Sequence, residues 1–127
     1  MTSTRYIISI LVILFVLSGC HRKNSRIGKT ISATYINVIS GNEFDIKLED
    51  GERVHAVLPV GTPPEAKEKV TKIMNKAVNP KVVFRSKVDK GWVVDIKFGL
   101  PECNGGSCLL HEESLVKWLK TNNLSWE

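Results

Sequence analysis

Apolar and polar residues alternate along much of the chain after residue 30. Residues 30–39 are rich in β-branched side chains, which favours a first strand. Ile31, Tyr35, Val38 and Ile39 are its candidate core residues. A period of two then predicts strands two and three, each with one buried face, joined by the turn signal Asp50-Gly51. The inward residues of these two strands are Phe44, Ile46, Leu48, Val54, Ala56 and Leu58.

The pattern changes to a helical period after residue 65. One helical face collects Ala66, Val70, Ile73, Met74 and Ala77. Thr62 is a candidate N-cap with Pro63 in the first turn, and Asn79-Pro80 is expected to end the helix. Residues 81–87 and 92–97 predict strands four and five, followed by a loop at 98–111 and a second helix at 112–121. Asn122 or Asn123 could end that helix in the left-handed conformation.

The resulting order, β-β-β-α-β-β-α, predicts a mainly β (α+β) fold. Five short antiparallel strands, with a helix after the third and another at the C-terminus, are typical of an OB-type barrel.

The N-terminus carries a different kind of segment. Residues 6–17 are uncharged and almost wholly apolar, yet shorter than the roughly 20 residues of a bilayer-spanning helix. They fit the apolar region of a secretory signal, and Leu17-Ser18-Gly19-Cys20 resembles a bacterial lipobox. The alternative is an uncleaved anchor with a chance cysteine. We therefore predict a lipoprotein signal peptide at 1–19, a basic linker at 20–29 and one domain at 30–127.

Lipidation of Cys20, with palmitate among the expected acyl chains, would attach the domain to a membrane of the bacterial envelope, facing the periplasm. His21 stands where an aspartate is associated with inner-membrane retention, which favours the outer membrane if the host is Gram-negative. The chain has a net charge of +5. Four linker residues contribute, and they are expected to form a solvated tether attracted to anionic headgroups: Arg22, Lys23, Arg26 and Lys29.

Two further cysteines, Cys103 and Cys108, enclose a short segment with two glycines. Export to an oxidising compartment favours a disulfide between them. A metal site that adds His111 is the alternative, but it has no convincing fourth ligand and an unusual spacing for zinc. We therefore predict a disulfide and no metal or other cofactor.

The order of several segments resembles the staphylococcal nuclease (thermonuclease-like) family. In chain order, these segments are VISG, DG, TPPE with a helix after it, Asp89-Lys90-Gly91, and SLVKWLKTNNLSW at 114–126. The resemblance covers nearly all of the domain, with the cysteine segment as an insertion. It implies an OB-type barrel that cleaves phosphodiesters with calcium. Such an enzyme would use aspartates on the ion, a glutamate on the attacking water and two arginines on the phosphate.

This chain departs from that set at almost every position. Asn42 takes the place of the turn aspartate, Ala56 and Trp92 replace the two arginines, and Gly61-Thr62 replaces an Asp-Thr pair. Glu65 alone matches the family glutamate. Losing one preorganised donor can cost about 10²–10³ in rate, so losing several predicts a protein without hydrolytic activity.

We therefore expect a non-catalytic OB-fold lipoprotein that binds a protein or another envelope component; exclusion of competitors is one compatible role. The expected surface is the face of strands two and three with their loops: Asn42, Glu43, Arg53, His55 and residues 59–64. One alternative is a residual calcium-dependent nuclease. The other is a nucleic-acid binder, which interspersed acids and the few available aromatics disfavour; its phosphate contacts would be Lys67, Lys72, Lys76, Arg85, Lys87 and Lys90.

Overall fold

The computed structural model of the protein describes residues 26–126. The predicted signal peptide at 1–19, Cys20 and residues 21–25 of the predicted linker lie outside the described part of the chain. Six strands and two helices follow one another: β1 (Thr30–Ser40), β2 (Glu43–Leu48), β3 (Arg53–Val57), α1 (Ala66–Lys76), β4 (Val78–Val88), β5 (Gly91–Asn104), β6 (Ser107–Ser114) and α2 (Leu115–Thr121).

Five of the strands form a closed ring. β1 pairs antiparallel with β2 and β4, β2 with β3, and β4 with β5. A parallel contact closes the ring, because Ala56 of β3 pairs with Trp92 of β5 and Val57 with Val93. β6 lies outside it, paired with β5 only. The mainly β architecture and both helix positions are confirmed, whereas the count of five strands is wrong by one.

The core follows the predicted period of two. Phe44, Ile46 and Leu48 of β2 are fully buried, while Asp45 and Lys47 between them are exposed. β3 continues the same core with Val54 and Ala56, and α1 adds Ala66 and Val70. Burial of each large apolar side chain stabilises the fold by about 1.5–3 kcal/mol relative to exposure.

The predicted loop at 98–111 is instead a β-hairpin. β5 continues to Asn104 and β6 returns from Ser107, with Cys103 directly opposite Cys108. Gly105 and Gly106 have φ values of 57° and 93°, the left-handed conformation that a two-residue hairpin turn requires. The sulfur atoms of Cys103 and Cys108 lie 2.14 Å apart, at disulfide distance.

The helix boundaries also differ from the sequence prediction. Glu65, not Thr62, is at the N-cap of α1, and its side chain makes no capping bond. The helix ends at Lys76. β4 begins at Val78, and its pairing with β5 is irregular between Val78 and Lys81, where Asn79 has a φ of 52°. α2 begins at Leu115, where Ser114 Oγ accepts a hydrogen bond from the Lys117 amide. Asn123, with a φ of 55°, ends it as expected.

The ring has two distinguishable ends. β1, β3 and β5 run in one direction, and β2 and β4 run in the other. We call the end with the turns at 49–52 and 89–90 the proximal end, because the described chain begins there. Arg26 pairs with Asp50 and Glu52 and lies over the Phe84 ring, so it is docked on the domain and not a solvated tether residue. The opposite, distal end holds the β1–β2 turn, the 58–65 segment and the 99–112 hairpin.

The described part of the chain has two helices, α1 and α2. Within residues 26–126, neither is long and apolar enough to cross a bilayer.

Candidate functional site

A groove runs across the outer face of β1, β2 and β3. The strand register stacks its side chains in two rows, because Tyr35 is opposite Lys47 and Lys47 is opposite Arg53. The second row places Asn37, Asp45 and His55 side by side in the same way. The groove has a volume of about 550 Å³, and we call it the outer-face groove. Its lining residues are Tyr35, Asn37, Asp45, Ile46, Lys47, Arg53, Val54 and His55.

The two rows differ in charge. Tyr35 lies beside two cations, Lys47 and Arg53, with its side chain on open solvent. In the other row, His55 Nδ1 lies 3.2 Å from Asp45 Oδ1, and His55 Nε2 lies 3.7 Å from Glu43 Oε1. One side of the groove therefore presents an aromatic ring with positive charge, and the other presents a histidine held between two carboxylates.

The groove brings several kinds of interacting group together. A half-open groove offers a ring face, amide and carboxylate hydrogen-bonding groups and charges of both signs, which are the ingredients of a protein-binding surface.

Tyr35 was expected in the core, and this expectation is wrong. Its side chain is 62% exposed, because Ile36 and Val38 take the inward positions of β1 instead. Apolar residues occur on both faces of this strand, so the sequence period alone could not decide which face is buried. Arg53, His55 and Glu43, expected on the binding surface, do come together here.

Asn42 has a structural position at the distal end. Its Nδ2 donates to the Val60 carbonyl oxygen at 3.1 Å, and its Oδ1 accepts from Ser40 Oγ at 2.9 Å. The Leu58 amide donates to the Asn42 backbone oxygen at 2.8 Å. The side chain at the turn-aspartate position thus fastens the β1–β2 turn to the segment after β3.

Ala56 and Trp92, which the resemblance compares with two arginines, meet in the ring closure. Both are buried and directly paired across β3 and β5. Trp92 packs edge-to-face on Phe84, with ring centroids 5.2 Å apart, and Lys87 Nζ lies 4.9 Å from the Trp92 ring centroid. These positions supply core packing, and they direct no guanidinium towards solvent.

Gly61 is covered by the C-terminal segment. Its backbone exchanges two hydrogen bonds with Trp126, at 2.8 and 3.0 Å. A Cβ atom on Gly61 would lie 2.4 Å from Trp126 Nε1, so the indole rests directly against the glycine. No local pattern in the sequence could indicate this contact, since its two residues are far apart in the chain.

Thr62 and Glu65 complete the set of family positions. Thr62 packs against the β1–β2 turn, where a Cβ on Gly41 would come within 2.6 Å of Thr62 Oγ1. Glu65 is exposed at the start of α1, where a carboxylate interacts favourably with the helix dipole. Asn42, Gly61 and Thr62 thus lie at the distal end, while Ala56 and Trp92 are inside the ring.

Residues 26–126 contain no group of three or more histidine, cysteine, aspartate or glutamate side chains placed to hold a metal ion. The alternative zinc set is not assembled, because the Cys103 and Cys108 sulfurs are joined and His111 Nε2 lies 3.5 Å from Glu113 Oε2.

The cations expected for a nucleic-acid interface are divided between elements. Lys67, Lys72 and Lys76 lie on α1, whereas Arg85 and Lys87 lie on β4 beside Asp95 and Trp92.

Comparison with known proteins identifies no relative: no family model, no curated protein and no solved structure matches this chain.

Proposed function

We propose that the chain is a non-catalytic binding lipoprotein of the bacterial envelope, anchored through Cys20, whose outer-face groove binds a protein partner. The absence of catalysis is proposed because of the roles played by the residues that the resemblance compares with the family's active site. Ala56 and Trp92 pack in the core, Asn42 ties two loops together, and Gly61 lies under Trp126. None of these residues supplies charge to a metal ion or a phosphate.

The fold supports the same proposal. The ring order β1-β2-β3-β5-β4, closed by a parallel β3–β5 contact, is the arrangement expected of an OB-type barrel, with β6 as an addition. Such barrels bind ligands on the face of strands two and three. The outer-face groove lies on that face, and its rows of opposite charge favour a protein surface with complementary charges.

The anchor is tested by metabolic labelling with a clickable palmitate analogue. The full chain should carry the label and fractionate with envelope membranes, and Cys20→Ser should lose both properties. A C20S protein that still fractionates with membranes would contradict the lipid anchor.

The groove is tested by capture of a partner after crosslinking in intact envelopes. Wild type should recover a specific protein, and Tyr35→Ala together with Arg53→Glu should lose it, because both changes remove groove contacts without touching the core. Lys90→Glu, an exposed charge change at the proximal end, is the matched control and should retain capture. Recovery of the same proteins by all three forms would contradict binding at this groove.

A second candidate function is supported by one observation: the exposed Tyr35 lies beside Lys47 and Arg53, as in surfaces that stack single-stranded bases. Asp45 and Glu43 on the same face oppose it. Salt-dependent retention of single-stranded DNA by the full chain, abolished by Tyr35→Ala, would favour this candidate over a protein partner.

A further inference from the structure

The hairpin at 101–112 projects from the domain as an arm. Every residue from 101 to 112 is exposed, including Leu109 at 76% and Leu110 at 59%. Strand pairs from Lys97–Ser114 to Asn104–Ser107 keep it a direct extension of the β5–β6 ladder. An isolated two-stranded hairpin is marginal in water, and here the Cys103–Cys108 disulfide joins its strands. A covalently stiffened arm loses less conformational entropy when it binds.

The arm is acidic as well as apolar. Between Lys97 and Lys117 the sequence contains no lysine or arginine, while it contains Glu102, Glu112 and Glu113. This is unusual for a chain with a net charge of +5. Leu109 is paired with Glu102 across the hairpin, so the most exposed leucine and a carboxylate share one face. The surface that receives this face must combine an apolar floor with positive charge.

The same chain carries such a surface between its two helices. A groove of about 230 Å³ is lined by apolar side chains from α1, from α2 and from the segment after α2. They are Ile73, Trp118 and Leu124. Three exposed lysines of α1 form its rim: Lys69, Lys72 and Lys76. We call it the helix groove. It matches the arm in chemistry: Leu109 can enter the apolar floor while the carboxylate of Glu102 meets the lysine rim.

We propose that two copies of this chain associate by placing the arm of each in the helix groove of the other. Exchange of identical contacts around a two-fold axis closes a dimer and leaves no arm unpaired. The arm extends from the distal end, and α1 connects β3 to β4 at that same end. A two-fold axis along the ring therefore leaves both proximal ends on one side. The placement of both proximal ends on one side brings both Cys20 anchors to a single membrane, so this feature of the dimer rests on the proposed function.

The test uses two charge-reversed forms of the full chain, solubilised in detergent, with mass measured by light scattering over a range of concentrations. The arm form carries Glu102→Lys, on the face that Leu109 shares, and the groove form carries Lys69→Glu and Lys76→Glu. Wild type should dimerise. Each form alone should weaken self-association by about tenfold or more, because like charges then meet at both contacts. An equimolar mixture should restore the dimer, since the basic arm meets the acidic groove and the acidic arm meets the basic groove.

Two further variants test whether the arm–groove contact explains the measured mass. The alternatives are misfolding of a variant and two monomers that share one detergent micelle. Leu109→Ala should weaken the dimer without altering the far-ultraviolet circular dichroism, because this side chain is exposed. Lys90→Glu at the proximal end should leave the dimer unchanged. A monomeric wild type, a mixture that stays monomeric, or an arm that crosslinks to another envelope protein in place of a second copy would each overturn the proposal. Lipidation of Cys20 and partner capture through the outer-face groove are measured in separate experiments. The dimer proposal and the proposed function can therefore fail independently.

Discussion

Gly61 and Trp126 form a packing contact between a loop and the C-terminal segment. The glycine has no side chain to offer, and the indole occupies the space above it. Two backbone hydrogen bonds fix the pair in register. The contact joins the segment after β3 to the end of the chain, across 65 positions of sequence, so its loss should loosen both segments.

Gly61→Ala should therefore destabilise the protein by about 1–3 kcal/mol, because the new methyl group overlaps the indole. Trp126→Ala alone should cost less, since that side chain is 56% exposed. The double variant should recover much of the loss, with a coupling of about 1 kcal/mol or more in urea unfolding. Strictly additive effects would show that the two residues do not meet.

Asp95 is a residue whose importance the sequence did not signal. It is the buried polar residue of β5, and it accepts hydrogen bonds from the Ile96 amide at 2.8 Å and Ser114 Oγ at 2.6 Å. The Val116 amide adds a third at 3.3 Å, so one carboxylate holds the start of α2 against the ring.

Asp95→Ala should lower the free energy of unfolding by about 2–4 kcal/mol, since it leaves buried donors without partners. Asp89→Ala, in the exposed turn before β5, is the matched control and should stay within about 0.5 kcal/mol of wild type. Equal effects of the two changes in urea unfolding would contradict the anchoring role of Asp95.

The elements divide into those that local patterns predict and those that distant contacts decide. β2 and β3 were predictable because their burial alternates strictly, and α1 because one face carries its apolar residues. The pairing of the strands in the 98–111 segment was not predictable, since proline, glycine, asparagine and cysteine in close succession are typical of a loop. Its pairing is specified by continuation of β5 and by the Cys103–Cys108 link, which act across the hairpin.

The candidate site was predictable in part for the same reason. Arg53 and His55 were expected on the face of strands two and three, and their polar positions within an alternating strand indicated it. Tyr35 was assigned to the wrong face because β1 has apolar residues on both. The roles of Trp126 and Asp95 depend on partners far away in sequence, which no local period encodes.

Replacing Cys103 and Cys108 with serine should loosen the arm and leave the ring folded. In the chain-entropy account, closing so short a loop contributes about 2 kcal/mol. Amide hydrogen exchange should accelerate across 99–112, while β2 amides such as that of Ile46 keep their protection. Loss of protection throughout the ring would show that the arm is part of the core folding unit.

The whole molecule combines a proximal end where the described chain begins, a groove on one side and an arm at the distal end. In the account proposed above, the proximal end faces the membrane because Arg26 is docked there, six residues after Cys20. The groove and the arm then face the surroundings, where partners can reach them. Ala56 and Trp92 pack in the ring, and Gly61 packs under Trp126.

The proposal that the chain is non-catalytic is tested by incubating the purified full chain with single-stranded DNA, first with calcium and then with a chelator. We expect no calcium-dependent cleavage, because losing one preorganised donor costs about 10²–10³ in rate and the proposed function has several of them lost. Glu65→Ala and Glu68→Ala, two exposed glutamates at the start of α1, form the matched pair. Calcium-dependent cleavage that Glu65→Ala abolishes and Glu68→Ala preserves would contradict the account.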